Sequence, residues 1–129
     1  MKTRRFTLVL ILFAAFSTGC GSDAPTLVEV SGRVTLAGKS LTAGSITFHP
    51  ASGNTFQSDA PSSQLQLDGS FRMKTYPWGY GVPPGDYSVS LSPELASRIK
   101  RPEFGDPGRT PLKITVPATP LTGHEFNLE

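Results

Sequence analysis

The side chains that most often bind metals are few and scattered in this sequence. Only two histidines occur, His49 and His124, and the chain has a single cysteine. A zinc site needs three or four converging ligands, commonly at short spacings, and neither a His-x-x-His pattern nor a cysteine pair is present. We therefore expect both histidines at strand edges or on the surface, with no metal and no other cofactor.

Nucleophilic and carboxylate chemistry also lack a motif. Serines are plentiful, but no Gly-x-Ser-x-Gly elbow places one of them beside a base. Asp59, Asp68 and Asp86 stand in turn-like contexts, where an aspartate side chain bonds nearby backbone, and no calcium-binding loop surrounds them. The sequence thus predicts no catalytic residue, and we expect a protein that is not an enzyme.

Three aromatic residues are the strongest candidates for a contact surface. Tyr76, Trp78 and Tyr80 alternate with a proline and a glycine, so in an extended segment their rings would point to one side. Such rings combine apolar area with a hydrogen-bonding tip, which suits stacking on sugars or anchoring a protein partner. The alternative is that they cap an open end of the fold. Phe104 and Arg109, in a later loop, could complete either surface.

The first twenty residues have the order of parts of a secretory signal. Three basic residues fall within the first five positions, residues 6–16 form an apolar run interrupted by one threonine, and small residues precede Cys20. The run is too short for a spanning helix. The Gly19-Cys20 junction resembles a bacterial lipoprotein signal, with Ser17 where such signals usually have leucine. The resemblance implies cleavage before Cys20, acylation of its thiol and attachment to a membrane.

The positive net charge of +2 belongs to this signal. Without residues 1–19, 9 basic residues face 10 acidic ones. Nucleic-acid binding requires a clustered basic face, and the only local cluster is Arg98, Lys100 and Arg101. We therefore exclude a nucleic acid as partner.

The rest of the chain must position these side chains with short strands. Apolar and polar residues alternate in segments separated by turn residues every eight to twelve positions, which is typical of antiparallel sandwiches and barrels. Ile46 and Phe48 should face the core, as should Tyr87, Val89 and Leu91. Short segments of this kind predict an all-β fold.

The dipeptide Asp68-Gly69 stands between two alternating runs and predicts a β-hairpin. The apolar residues of both runs, Leu65, Leu67, Phe71 and Met73, should then face inward.

Two further local features can be placed. Gly32 predicts a bulge in the first strand. The one helical candidate is the segment 93–100, with Ser92 as N-cap and Pro93 at the first helical position.

We predict a seven-stranded antiparallel β-sandwich with at most one short helix, preceded by a signal peptide. Its organisation is a lipoprotein signal peptide over 1–19, a lipidated cysteine and linker over 20–27, and the sandwich over 28–129.

Several segments together are similar to a known family. They share its glycine, turn and strand positions and are Val30-Ser31-Gly32-Arg33-Val34-Thr35-Leu36-Ala37-Gly38-Lys39-Ser40-Leu41, Gly44-Ser45-Ile46-Thr47-Phe48, Leu67-Asp68-Gly69-Ser70-Phe71 and Val82-Pro83-Pro84-Gly85-Asp86-Tyr87. The chain resembles a carboxypeptidase regulatory-like domain, a transthyretin-like sandwich, in its small bacterial lipoprotein form. Ser40 replaces the family's usual proline. The resemblance implies a role in folding support or contacts. The His, Arg and C-terminal Tyr-Arg-Gly-Ser pattern of the family's hydroxyisourate hydrolase branch is absent.

Our leading hypothesis is a lipid-anchored, noncatalytic β-sandwich module at the bacterial cell envelope, facing the periplasm or the cell surface. Its partners would be the membrane, through acylated Cys20, and an envelope protein or polysaccharide. The role would be structural, adhesive or one of ligand contact, with Tyr76, Trp78 and Tyr80 as contact residues. The alternative is a small secreted enzyme or an accessory domain that binds polysaccharide.

Overall fold

Short alternating segments form ten β-strands in the computed structural model, which describes residues 24–129. The signal peptide, Cys20 and the start of the linker lie outside the described residues. The strands are β1 (Val30–Leu36), β2 (Lys39–Ser40), β3 (Ser45–Pro50), β4 (Ser62–Gln64), β5 (Ser70–Arg72), β6 (Lys74–Thr75), β7 (Gly79–Tyr80), β8 (Gly85–Leu91), β9 (Lys113–Val116) and β10 (Leu121–Leu128). Three of them, β2, β6 and β7, are only two residues long, which leaves seven longer strands.

The strands form two sheets. The first has the order β10-β1-β2, with β5 also paired to β1, and the second has the order β7-β6-β4-β3-β8-β9. The predicted all-β sandwich is confirmed. One pair departs from the antiparallel prediction, because β1 and β10 run parallel. Parallel neighbours need a long connection, and nearly the whole domain lies between these two strands.

The predicted bulge is present in β1. The register of β1 against β10 shifts between Val30 and Gly32. The absence of a side chain at Gly32 allows the backbone of β10 to approach β1 closely, since a Cβ at Gly32 would lie 1.8 Å from the carbonyl oxygen of His124.

The predicted helix is α1 (Pro93–Arg98), two residues shorter than expected, and a 3₁₀ turn follows at Pro102–Gly105. Proline occupies the start of α1 as predicted. The hydroxyl of Ser92 does not cap the helix but accepts a hydrogen bond from the Ser45 backbone N–H at 3.2 Å. The residue thus ties α1 to β3. No helix within residues 24–129 has the length and apolar character needed to cross a membrane.

The core lies between the sheets and is built from the predicted alternation. Ile46 and Phe48 are fully buried on β3, and Tyr87, Val89 and Leu91 are buried on β8. The Phe48 ring lies 5.8 Å from the Tyr87 ring. Burying each such side chain stabilises the fold by about 1.5–3 kcal/mol.

The predicted Asp68-Gly69 hairpin is present, but the prediction that Leu67 faces inward is wrong. A turn is present, with Gly69 at φ +78° and its N–H bonded to the Gln66 carbonyl at 2.9 Å. Its two arms are joined by a hydrogen bond of 2.9 Å from the Gln66 N–H to the Ser70 carbonyl and by the antiparallel pair of Ser62 with Lys74. Between these two points, β5 pairs with β1 of the first sheet, so the second arm contacts both sheets. Leu65 is buried as predicted, whereas Leu67 is 92% exposed because it lies in the turn.

Candidate functional site

The aromatic segment forms a tight hairpin. Strands β6 and β7 pair Lys74 with Tyr80 and Thr75 with Gly79, so the segment turns back instead of staying extended. Thr75 is fully buried and its hydroxyl donates to the Gly81 carbonyl at 2.8 Å, while its own carbonyl accepts the Trp78 N–H at 2.8 Å. A small buried threonine thereby fixes the base of the aromatic turn.

The hairpin is held against the start of the domain. Val28 and Val82 exchange two backbone hydrogen bonds of 3.0 and 2.8 Å. Gly81 makes this contact possible, since its φ is +117° and a Cβ there would lie 2.9 Å from the Val28 carbonyl oxygen. On the other side, the Tyr87 hydroxyl donates to the Pro83 carbonyl at 2.6 Å, and burial raises the pKa of Tyr87 to about 12. Hydrogen bonds to Val28 and Tyr87 therefore fix the segment that follows the aromatic turn.

All three predicted contact rings are exposed. Tyr76 is 74% exposed, Trp78 42% and Tyr80 57%. Most of the surface of the two tyrosines is thus in water, which the capping alternative did not predict. The rings do not form a single surface, because Tyr76 and Tyr80 line one groove and Trp78, in the turn, does not line it.

The groove lies on the outer face of the second sheet. Thr47 pairs with Ser62, Ser62 with Lys74 and Lys74 with Tyr80, in one row across four strands. Directly paired residues project to the same side of a sheet, and this is the side opposite Ile46.

We name this feature the tyrosine groove. Its volume is about 820 Å³. Two tyrosines, two cationic residues and a set of hydroxyl and amide side chains line it, together with one phenylalanine: Ser45, Thr47, Ser62, Ser63, Gln64, Gln66, Ser70, Phe71, Arg72, Lys74, Tyr76 and Tyr80. Sequence reasoning found the two tyrosines and missed the polar floor, because its residues come from strands far apart in the chain.

The tyrosine groove is positively charged. The Arg72 guanidinium lies 3.9 Å from the centroid of the Tyr80 ring, and the Lys74 ammonium lies 5.6 Å from Tyr80 and 5.9 Å from Tyr76. Arg72 also bridges Glu29 through its Nε at 3.3 Å. No carboxylate lines the groove. The sequence did indicate the direction of these cations. Side chains alternate along a strand, so if Phe71 and Met73 face inward, Arg72 and Lys74 face outward.

The remaining residues of the aromatic hypothesis lie elsewhere. Phe104 is buried in the core, so it completes neither a contact surface nor a cap over the tyrosines. Arg109 is exposed but does not line the groove.

Sequence reasoning missed a serine and histidine pair. His49 Nε2 lies 2.7 Å from Ser90 Oγ, across the β3–β8 ladder. Ser90 is only 5% exposed, and within residues 24–129 no carboxylate hydrogen-bonds to the His49 ring. A serine nucleophile needs access to substrate and a base oriented by a third group, so this pair lacks two features of a triad.

The other polar candidates have structural partners. His124 packs edge-on against Phe126, with ring centroids 4.7 Å apart. The Asp68 carboxylate accepts the Ser70 N–H at 3.0 Å, and this hydrogen bonding lowers the pKa of Asp68. Asp86 accepts the Thr115 hydroxyl at 2.6 Å. In the part of the chain that the structure describes, no group of three or more His, Cys, Asp or Glu side chains could hold a metal ion.

His49 predicts a pH dependence of stability. Burial lowers the pKa of His49 below its ordinary value of 6.5, so the unfolded chain takes up the proton first as the pH falls. The contribution of neutral His49 to stability is fully present above pH 6.5 and is lost as the pH falls through the folded-state pKa. His49→Gln should flatten the fall in unfolding free energy between pH 7 and pH 5, measured by urea unfolding. An equal slope in the variant and the wild type would contradict the assignment.

Comparison with known proteins found no match to this chain among family models, curated proteins or solved structures. The resemblance to carboxypeptidase regulatory-like domains therefore stays a prediction.

Proposed function

We propose that this protein is a lipid-anchored, noncatalytic β-sandwich module of the bacterial cell envelope that contacts a ligand through the tyrosine groove. The observation that carries the contact role is the exposure of Tyr76 and Tyr80 beside two cationic side chains on a polar sheet face. Exposed tyrosines of this kind are typical of contact surfaces, because one ring supplies both apolar area and a hydrogen-bonding group.

The anchoring role is supported by the sequence of the first twenty residues. Val28 is eight positions after Cys20, and a fully extended chain of eight residue steps spans about 27 Å at most. Val28 is bonded to Val82, two residues after Tyr80. An acylated Cys20 would therefore hold the hairpin end of the domain close to a bilayer. Acyl chains stabilise such attachment by about 0.8 kcal/mol per buried methylene, and more than one chain makes it lasting.

The family proposal is supported by where the resembling segments lie. The first pair of segments covers β1, β2 and β3, the Asp68-Gly69 segment forms the turn before β5, and the Pro-Pro-Gly segment leads into β8. We propose a carboxypeptidase regulatory-like domain on that basis.

The anchor is tested by mass and partitioning. We expect the wild-type chain, expressed in a bacterium with lipoprotein processing, to lack residues 1–19, to carry acyl mass and to enter the detergent phase. Cys20→Ala should lose both the acyl mass and the cut after residue 19, while Ser22→Ala should behave as wild type. An unacylated, soluble wild-type product would reject the anchor and favour a secreted accessory domain.

The contact role is tested on residues 20–129 with Cys20→Ala, because this protein has neither acyl chains nor the apolar run 6–16 and only the domain can bind. We expect saturable binding to washed envelope material from the host. The double change Tyr76→Ser and Tyr80→Ser should lower this binding at least fivefold, and Leu67→Ser, which removes a still more exposed apolar side chain outside the groove lining, should not. Binding that is unchanged by the loss of both tyrosines would remove the proposed contact site.

A further inference from the structure

We propose that the tyrosine groove binds an oligosaccharide that carries carboxylate groups. This inference rests on the contact role proposed above and names the ligand class for the same groove. Its three supports are the polar floor, the position of the free tyrosine ring and the unbalanced positive charge.

The floor of the groove suits a sugar better than a bilayer or a protein core. Serine, threonine and glutamine side chains both donate and accept hydrogen bonds, as sugar hydroxyls do. Acyl chains entering this concave surface would leave those polar groups without partners, which is unfavourable. An apolar protein anchor would find little apolar surface beyond the two tyrosines, since Phe71 is only 3% exposed. The volume of about 820 Å³ is within the range of about 300–1,000 Å³ found for small-ligand sites.

Tyr76 is the ring available for stacking. The Arg72 guanidinium lies 3.9 Å from the centre of the Tyr80 ring and occupies one face of it. Over the Tyr76 ring, the one cation among the described residues is the Lys74 ammonium, 5.9 Å from the ring centre, and Tyr76 is 74% exposed. A pyranose stacked on Tyr76 would therefore place a carboxylate on its edge beside Lys74.

One of the two cations of the groove has no counterion. Lys74 makes no salt bridge with any residue in the described range 24–129. Arg72 is paired with Glu29 through Nε, and this salt bridge does not involve the terminal nitrogens of the guanidinium. The sequence after residue 19 has one more acidic than basic residue, so an unpaired lysine in a groove with no acidic lining residue does not simply reflect composition. A carboxylate would balance the charge of Lys74 and form charge-assisted hydrogen bonds with Lys74 and the terminal nitrogens of Arg72.

The experiment compares two sugars that differ only in charge. Tetragalacturonate and its methyl ester have the same rings, and their dissociation constants are measured by calorimetry with the full chain in detergent micelles. We expect tetragalacturonate to bind more tightly, with an affinity that falls as salt is raised. Lys74→Gln should weaken it about tenfold, which is the loss of one charge-assisted hydrogen bond. Lys39→Gln removes an exposed lysine from the other sheet and should have no effect.

Every other result contradicts the inference, and the results differ in whether they also contradict the proposed contact role. Equal binding of the methyl ester, weakened by Tyr76→Ala but not by Lys74→Gln, leaves the contact role standing and rejects the requirement for charge. Failure of both sugars rejects the glycan. Binding of residues 20–129 with Cys20→Ala to phosphatidylglycerol vesicles, and not to phosphatidylcholine vesicles, would then assign Lys74 to a lipid surface. If envelope binding also fails to depend on the tyrosines, the proposed contact role fails with it.

Discussion

Gly32→Ala is expected to destabilise the domain by about 3 kcal/mol or more, a large part of the roughly 5–15 kcal/mol that holds a domain of this size together. The added Cβ would lie 1.8 Å from the carbonyl oxygen of His124 and 2.9 Å from the edge of the Phe71 ring. The first of these atoms belongs to backbone, so relief requires β1 and β10 to separate. Since Phe126 and Leu128 on β10 are buried, their separation exposes core surface.

Gly53→Ala is the matched control for this change. A Cβ at Gly53 meets no atom within 4 Å, and its φ lies outside the positive range that disfavours alanine. Urea unfolding followed by far-UV circular dichroism should give a lower midpoint for Gly32→Ala and a midpoint near wild type for Gly53→Ala. Equal midpoints for the two variants would show that β10 is not held against β1 as closely as the structure has it.

Local patterns in the sequence were sufficient to predict the single elements. Ile46 and Phe48 were placed in the core because side chains alternate along a strand, and this period depends on no distant residue. The start of α1 followed from Pro93, whose ring fixes a helical φ and lacks an N–H that would be unpaired there anyway. Each of these signals lies within a few residues of the feature it specifies.

Pairing between distant strands could not be predicted in the same way. The parallel β1–β10 pair and the contact between His49 and Ser90 join residues far apart in sequence. The local sequence around either residue does not indicate which distant residue it contacts. The tyrosine groove has the same origin. Its rings were visible in the alternation around Trp78, but the row from Thr47 to Tyr80 exists only through the register of β3, β4, β6 and β7.

The Asp68-Gly69 turn shows how a correct local signal can leave the burial of neighbouring side chains undetermined. Asn-Gly and Asp-Gly dipeptides favour a tight turn because glycine tolerates a positive φ, and Gly69 has one. Whether the two arms pair along their whole length, and which side chains face inward, is decided by the burial of whole strands. Here the arms pair through Gln66 with Ser70 and Ser62 with Lys74, while β5 between them pairs with β1, where Phe71 is buried, and the inward alternation stops at Leu65.

Two leucines of this segment provide a matched test of that difference. Leu65→Ala should destabilise the domain by about 2–5 kcal/mol, because Leu65 is 7% exposed and its removal leaves a cavity in the core. Leu67→Ala removes the same atoms from a side chain that is 92% exposed, and it should change the unfolding free energy by no more than about 0.5 kcal/mol. Urea unfolding of both variants beside wild type measures the difference directly.

The result separates two placements of the residues before the turn. If the inward alternation continued to the Asp68-Gly69 dipeptide, both leucines would face the core and the two substitutions would be similarly destabilising. In the structure only Leu65 is buried, and its backbone N–H is bonded to the Gly44 carbonyl at 2.9 Å. Comparable losses at both positions would therefore show that Leu67 packs against the core and that the turn begins later than the structure has it. Because Gln66 lies between the two leucines and lines the tyrosine groove, such a result would also change the floor of the proposed carboxylate site.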